Sequence, residues 1–280
     1  MFRRVTRQEA DSRTMSLLKA HGDKDQPRYS YDVCIVVSSL EIGGAERAAI
    51  NLAKALTDSG MSVHLIVLGA HGPLSSLVDN RVATTYLESM SARRSIRPLR
   101  AELRRNPARS CIGEDLHIGL LVAYATAGLQ TKAFVHDHSD PIQRARSTPT
   151  GIRSALWLGL KMAALIGQIE RYVACSEGAA RSARLYFGLR KHQVSYVFNP
   201  VVASVDDATL DGHCGSTFDV VVVCRLVAGK RVDWILHAVN QLDRPIRVCI
   251  IGDGPNRPHP EGQPIAARLD CAGTEDFLQH

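Results

Sequence analysis

The stretch YDVCIVVSSLEIGGAERAAINLAKAL, residues 31–56, decides the fold class. A β-branched run at 33–39 leads into a turn holding Gly43 and Gly44, and a helical pattern follows over 45–56. Within that pattern Ala48, Ala49, Leu52, Ala53 and Leu56 fall on one stripe, the spacing of a helix that lays one face on a core. A strand that feeds a helix through a glycine turn is half of a βαβ unit. Outward from it, runs at 63–68, 133–136, 172–175, 194–198, 220–224 and 247–251 alternate with helical stretches. The fold class expected is therefore α/β, an open parallel sheet covered by helices on both faces. Ser176, between the run at 172–175 and the helix-forming stretch 177–185, stands where an N-cap belongs.

The 280 residues are 45% hydrophobic, 22% charged and 5% aromatic, an ordinary globular composition with room for two domains. A formal charge of +6 favours anionic partners such as phosphorylated donors, acidic head groups or nucleic acid. Nucleic acid is set aside, because neither a recognition motif nor an aromatic stacking platform accompanies the charge. The longest apolar run, 155–169, is interrupted by Lys161 and falls short of the ~18 apolar residues that a spanning helix needs. Seven cysteines, an odd number without a C-x-x-C pair or a histidine at zinc-ligand spacing, read as free thiols rather than a metal site. Cys34, Cys175, Cys224 and Cys249 lie in or at the end of apolar runs, which suits buried thiols in a reducing, cytoplasmic setting.

Residues 1–30 are polar and charged and read as a mobile leader, with Met15 as an alternative start. The polar, Gly-containing segment 206–215 separates two runs of the alternation and is the expected interdomain linker. Arg93, Arg94, Arg97, Arg100, Arg104 and Arg105 cluster on a helical stretch. They read first as a solvated face, with an acidic membrane surface, at the inner face of the membrane, as the functional option.

Four groups of residues could carry chemistry. Gly43 and Gly44, after a strand and before a helix, let a backbone approach an anion, although a three-glycine dinucleotide fingerprint is absent and such a turn serves packing as readily. Arg225 follows a β-run and Lys230 stands five residues on, beside a helix start at 231–242, a setting that suits a diphosphate or two solvated charges. His136 and His138 flank Asp137 at a strand end, where open sheets bind ligands. One of them could bond a substrate or serve the structure, and no Cys or carboxylate at ligand spacing argues for a metal. Asn199-Pro200 ends another strand and reads as a turn.

Several stretches together resemble the retaining family 4 glycosyltransferases. SSLEIGGAERAAINLAKAL, 38–56, is similar to the first loop and helix of that family, and ERYVACSEGAA, 170–180, to its late first-domain strand and helix. VSYVFNPV resembles the strand before the domain crossover, VVVCRLVAGKRVDWILHAV, 221–239, the donor-phosphate segment, and VCIIGDGP, 248–255, the strand and turn that follow. The resemblance implies a GT-B fold, two Rossmann-like domains facing a cleft, with the acceptor on the first and a UDP- or GDP-sugar donor on the second. It implies that Arg225 and Lys230 hold the donor diphosphate, that Gly43 and Gly44 lie near sugar and phosphate, and that His138 lines the reaction centre. No metal or separate cofactor is implied; the nucleotide sugar is a substrate, and the acceptor is a glycan or lipid-linked molecule. The sequence departs from the family pattern at Cys224 and Arg231, where the family usually carries glycine.

The resemblance sets the expected domains: a complete acceptor-side domain at 31–205, the start of a donor domain at 206–255, and an irregular tail at 256–280. The family continues with further strand–helix units and a loop bearing two glutamates seven residues apart. Here Glu261 and Glu275 are fourteen apart in a proline-containing tail. The second domain is thus expected to be incomplete, and transfer by this chain weak or absent. The alternative to an enzyme is a noncatalytic module that binds a glycan or partners a complete transferase.

Overall fold

The computed structural model describes residues 29–89, 92–147, 164–199, 219–244, 246–252, 254 and 270–272. Residues 1–28 of the expected leader and the linker at 206–215 lie outside them, as does most of the run at 155–169. Among the described residues no helix is long and apolar enough to cross a membrane. The chain divides into two units, Met1–Ala203 and Ser204–His280.

The first unit is a seven-stranded parallel sheet in the order β3-β2-β1-β4-β5-β6-β7, flanked by helices. Its strands are β1 (Tyr31–Val37), β2 (Val63–Val67), β3 (Ala83–Tyr86), β4 (Ala108–Glu114), β5 (Lys132–Asp137), β6 (Ile169–Ala174) and β7 (Val194–Tyr196). The connecting helices are α1 (Gly44–Asp58), α2 (Ala92–Arg105), α3 (Leu116–Thr126), α4 (Pro141–Ser147) and α5 (Glu177–Phe187). Side chains alternate across a strand, so β1 feeds two cores: Cys34 and Val36 point to one, Val33, Ile35 and Val37 to the other. The first core takes Leu99 and Leu103 of α2, most of α3, and Ala179, Ala180 and Ala183 of α5. The second takes Ala49, Ile50 and Ala53 of α1. Burial on both faces is why β1 and β2 read as continuous apolar runs.

β3 and β4 were not among the strands expected from sequence, although β4 lies between β1 and β5. Its sequence ARSCIGE has one β-branched residue, and much of its burial is by small side chains. The reason is close approach, since α3 crosses Gly113 nearly backbone to backbone. α3 itself starts at Asp115, whose carboxylate accepts from the Ile118 N–H at 2.9 Å. It ends where Arg100 donates from Nη1 to the carbonyls of Ala125 at 2.7 Å and Ala127 at 2.8 Å. One member of the arginine cluster thus caps a neighbouring helix rather than facing solvent. Ser176 caps α5 as expected, accepting from the Ala179 N–H at 3.2 Å, and Gly188 closes the helix at φ 66°.

The second unit contains β8 (Val220–Val223), α6 (Val232–Val239), β9 (Val248–Ile251) and β10 (Asp270–Ala272), with sheet order β10-β9-β8, all parallel. Leu226, Ile246, Val248 and Ile250 form its small core. The stretch 256–280, expected to be irregular, instead contributes β10 in register with Cys249–Ile251. Its three residues carry no apolar period of their own, and only the pairing with β9 makes them a strand.

Candidate active site

Because every strand of the first sheet is parallel, their carboxyl ends share one edge, and the polar residues of the unit converge there. Glu114 is the last residue of β4, and register sets it opposite His136 of β5. The Glu114 carboxylate is 4% exposed, yet one oxygen, Oε2, lies 3.0 Å from His136 Nδ1 and 2.5 Å from His138 Nε2. His138 is held on its other side as well, with Nδ1 3.1 Å from Asn199 Oδ1. Burial alone would raise the Glu114 pKa, but hydrogen bonds from His136 and His138 outweigh it and hold the carboxyl below its ordinary value. Burial likewise works against protonation of His138, and the Glu114 hydrogen bond and charge, aided by Asn199, raise it above its ordinary value.

Asp137, fully buried between the two histidines in sequence, points into a second network. Its Oδ2 accepts from the Tyr172 hydroxyl at 2.6 Å, and its Oδ1 accepts from Arg144 Nη2 at 2.6 Å and from Ser139 N at 3.1 Å and Oγ at 3.0 Å. Burial and the Asp137 charge push the Tyr172 phenol far above its ordinary pKa, so it remains a donor. Asp140 ties α4 to α5 by accepting from Ser182 Oγ at 2.6 Å. These bonds anchor the backbone that presents His138.

Gly43 and Gly44 lie beyond the end of β1, on the same edge of the sheet, and open α1. Gly43 is extended at φ −163°, which any residue adopts, and a Cβ there would meet only the movable Glu46 carboxylate. At Gly44 a Cβ would meet open space. The backbone does not require glycine at either position, and the pair opens a helix whose first turn carries the Glu46 carboxylate beside Gly43.

In the second unit Arg225 and Lys230 are exposed on the segment between β8 and α6. The segment is braced by Gly252 (φ 151°) and Gly254 (φ 153°), whose α-carbons abut the carbonyls of Cys224 and Leu226 too closely for any side chain. Arg231, where glycine is usual in the resemblance, stands at φ 52° with its guanidinium 4.9 Å from the Trp234 ring centre. A left-handed non-glycine residue costs about 1–2 kcal/mol, and the cation–π contact offsets about 0.5–1 kcal/mol. Arg231→Gly is expected to stabilise α6 slightly, by at most about 1 kcal/mol. Amide hydrogen exchange checks this: slower exchange in α6 is the expected result, and faster exchange would show that the tryptophan contact dominates.

Residues 42–205 match Glycosyltransferase Family 4. This chain belongs to that family. No curated protein matches it. Among solved structures it is similar to Anabaena HepE in complex with UDP-glucose, with a TM-score of 0.61 and 14% identity over 80% of this chain and 61% of that one. It is also similar to a glycosyltransferase from Rickettsia africae, with a TM-score of 0.57 and 14% identity over 87% and 68%. Sucrose-phosphate synthase from Thermosynechococcus elongatus gives 0.60 and 11% over 81% and 63%. At these identities the likeness is one of fold, the GT-B fold of the family. The family 4 chain spans about three fifths of the length of HepE.

The structure brings His138 together with Glu114, His136 and Asn199, and sets the Gly43–Gly44 turn on the same sheet edge. Arg225 and Lys230 belong to the other unit. Sequence reading missed Glu114, which lies 22 residues before His136 in a strand without a strong apolar pattern. It read Asn199 as a turn residue only, whereas its side chain reaches a histidine 61 residues away.

Proposed function

We propose that this family 4 chain serves the transfer of a sugar from a nucleotide-sugar donor, a UDP- or GDP-sugar, to a lipid-linked or polysaccharide acceptor. The observation that carries this reading is the imidazole of His138, bonded on both ring nitrogens at the carboxyl edge of the first sheet. Held there, it can exchange one of those bonds for a sugar hydroxyl without reorienting. The Gly43–Gly44 turn brings the N-terminus of α1, with its helix N–H groups, to the same sheet edge, where it can face a hydroxylated or anionic group. In the other unit Arg225 and Lys230 take the donor diphosphate, which gathers negative charge as its bond to the sugar breaks. The guanidinium suits two phosphate oxygens at once, and the ammonium adds a point charge. HepE, solved with UDP-glucose, makes that compound the probe of choice.

The test is calorimetric titration of the full chain with UDP-glucose. Loss of a charged hydrogen-bond donor costs about 1.5–3 kcal/mol, so Arg225→Ala is expected to weaken binding roughly tenfold or more. Unchanged affinity would remove Arg225 from the site. A wild-type chain that ignores both UDP- and GDP-glucose yet binds a glycan would replace the transferase reading with that of a noncatalytic glycan-binding module.

A further inference from the structure

We propose that the arginine face of α2 binds an acidic polysaccharide, one that carries carboxylates or phosphates along its chain. The helix holds a single acid, Glu102, and that side chain is turned inward, where Oε1 accepts from Asn106 Nδ2 at 2.8 Å and from the Thr85 hydroxyl at 3.4 Å. Ile96, Leu99 and Leu103 pack into the first core. Left exposed are Arg94, Arg97, Arg104 and Arg105, with Pro98 and Ala101 among them. Arg94, Arg97, Ala101 and Arg104 follow one another at helical steps of three and four residues, so the charges share one face. From Arg94 to Arg105 that face runs about 16 Å. No ion pair joins Arg97, Arg104 or Arg105 to an acid among the described residues.

Like charges crowded on one helix face repel unless an opposite charge meets them. The apolar side of α2 is already taken up by the protein's own core, so the helix has none of the large exposed apolar side chains with which interfacial helices enter a bilayer. Its exposed cations are all arginine, whose planar fork meets a carboxylate or phosphate through two hydrogen bonds, where lysine offers a point charge. Arg100, one turn before Arg104, donates to the carbonyls of Ala125 and Ala127 and so brings the end of α3 against α2. Tyr124, 55% exposed, stands at that junction and offers a ring on which a pyranose can stack. Because α2 follows β3 in a parallel sheet, its first turn lies at the carboxyl edge that carries His138, and the arginine face leads from there toward the amino edge. A polymer held along this face would keep one end near that edge at a raised effective concentration. Taking the polyanion to be a glycan rests on the transferase reading, and it narrows the acceptor of that reading to an acidic polysaccharide.

The experiment is calorimetric titration of the full chain with a galacturonate decamer and with its fully methyl-esterified, uncharged counterpart. The acidic decamer is expected to bind and the ester not, with affinity falling at least tenfold between about 20 and 500 mM salt. Arg97→Ala combined with Arg104→Ala should weaken binding of the acidic decamer about tenfold or more, and Tyr124→Ala a few-fold, while both variants keep the wild-type affinity for UDP-glucose. No binding of the acidic decamer, equal affinity for the ester, undiminished affinity in the double arginine variant, or tighter binding to phosphatidylglycerol vesicles or to a DNA duplex would overturn the proposal. A wild-type chain that ignores UDP-glucose but binds the decamer through these arginines would sink the transferase reading and leave the acidic-glycan site standing.

Discussion

Asp137→Ala is expected to lower the stability of the first unit by about 3–5 kcal/mol, the usual cost of removing one partner from a buried charged pair. The carboxylate is fully buried and serves four donors: the Tyr172 hydroxyl, the Arg144 guanidinium, and the Ser139 amide and hydroxyl. Truncation leaves the Tyr172 hydroxyl without its acceptor inside a core where Tyr172 is 1% exposed. Water cannot easily take the place of the carboxylate there. Asp137→Asn keeps the shape but loses the charge and sets an amide NH₂ against one of the donors, so a smaller loss is expected. Hydrogen exchange at the β5 and β6 amides, together with urea unfolding of the full chain, reads both. A loss under about 1 kcal/mol for the alanine variant would mean that solvent reaches the network and that this account of it is wrong.

Gly113→Ala is expected to be of comparable severity, about 3 kcal/mol or more, beyond ordinary overpacking because the obstacle is backbone. A Cβ at Gly113 would sit 2.5 Å from Gly119 Cα and N and 2.7 Å from Ile118 C, all of them main-chain atoms of α3. No rotamer change relieves that contact, so the whole helix must move off the sheet. Gly119→Ala is the instructive contrast. Its Cβ would meet the Val135 methyls at 2.7 Å, but alanine also recovers about 1 kcal/mol of helix propensity. The expected order is Gly113→Ala well below Gly119→Ala, measured as the midpoint of thermal unfolding. The reverse order would show that α3 yields more easily than the Val135 side chain.

These two positions also mark where reading the chain residue by residue stops. β1 and β2 were legible because burial on both faces leaves near-continuous apolar runs, β5, β6, β7, β8 and β9 as short β-rich runs, and α1 because its stripe has helical period. β4 was not, since its place beside α3 demands a glycine and small side chains that erase the signal. Missing β4 meant missing Glu114. Charge or spacing along the chain cannot reveal a carboxylate whose partners are supplied by the register of a neighbouring strand.

By itself, then, the sequence determined the α/β class, the strand–glycine–helix opening, the Ser176 cap and the family to which residues 42–205 belong. All of these rest on interactions within a few residues or on periodic burial, which a linear chain records directly. Only the tertiary structure decided that Glu114, His136, His138 and Asn199 meet at one edge, that Asp137 is buried in a separate network, and that Arg100 caps α3. Those contacts join residues 22 to 61 positions apart through parallel pairing and helix packing. The physical reason is that pairing order and register belong to the sheet as a whole and leave no periodic mark on any one strand.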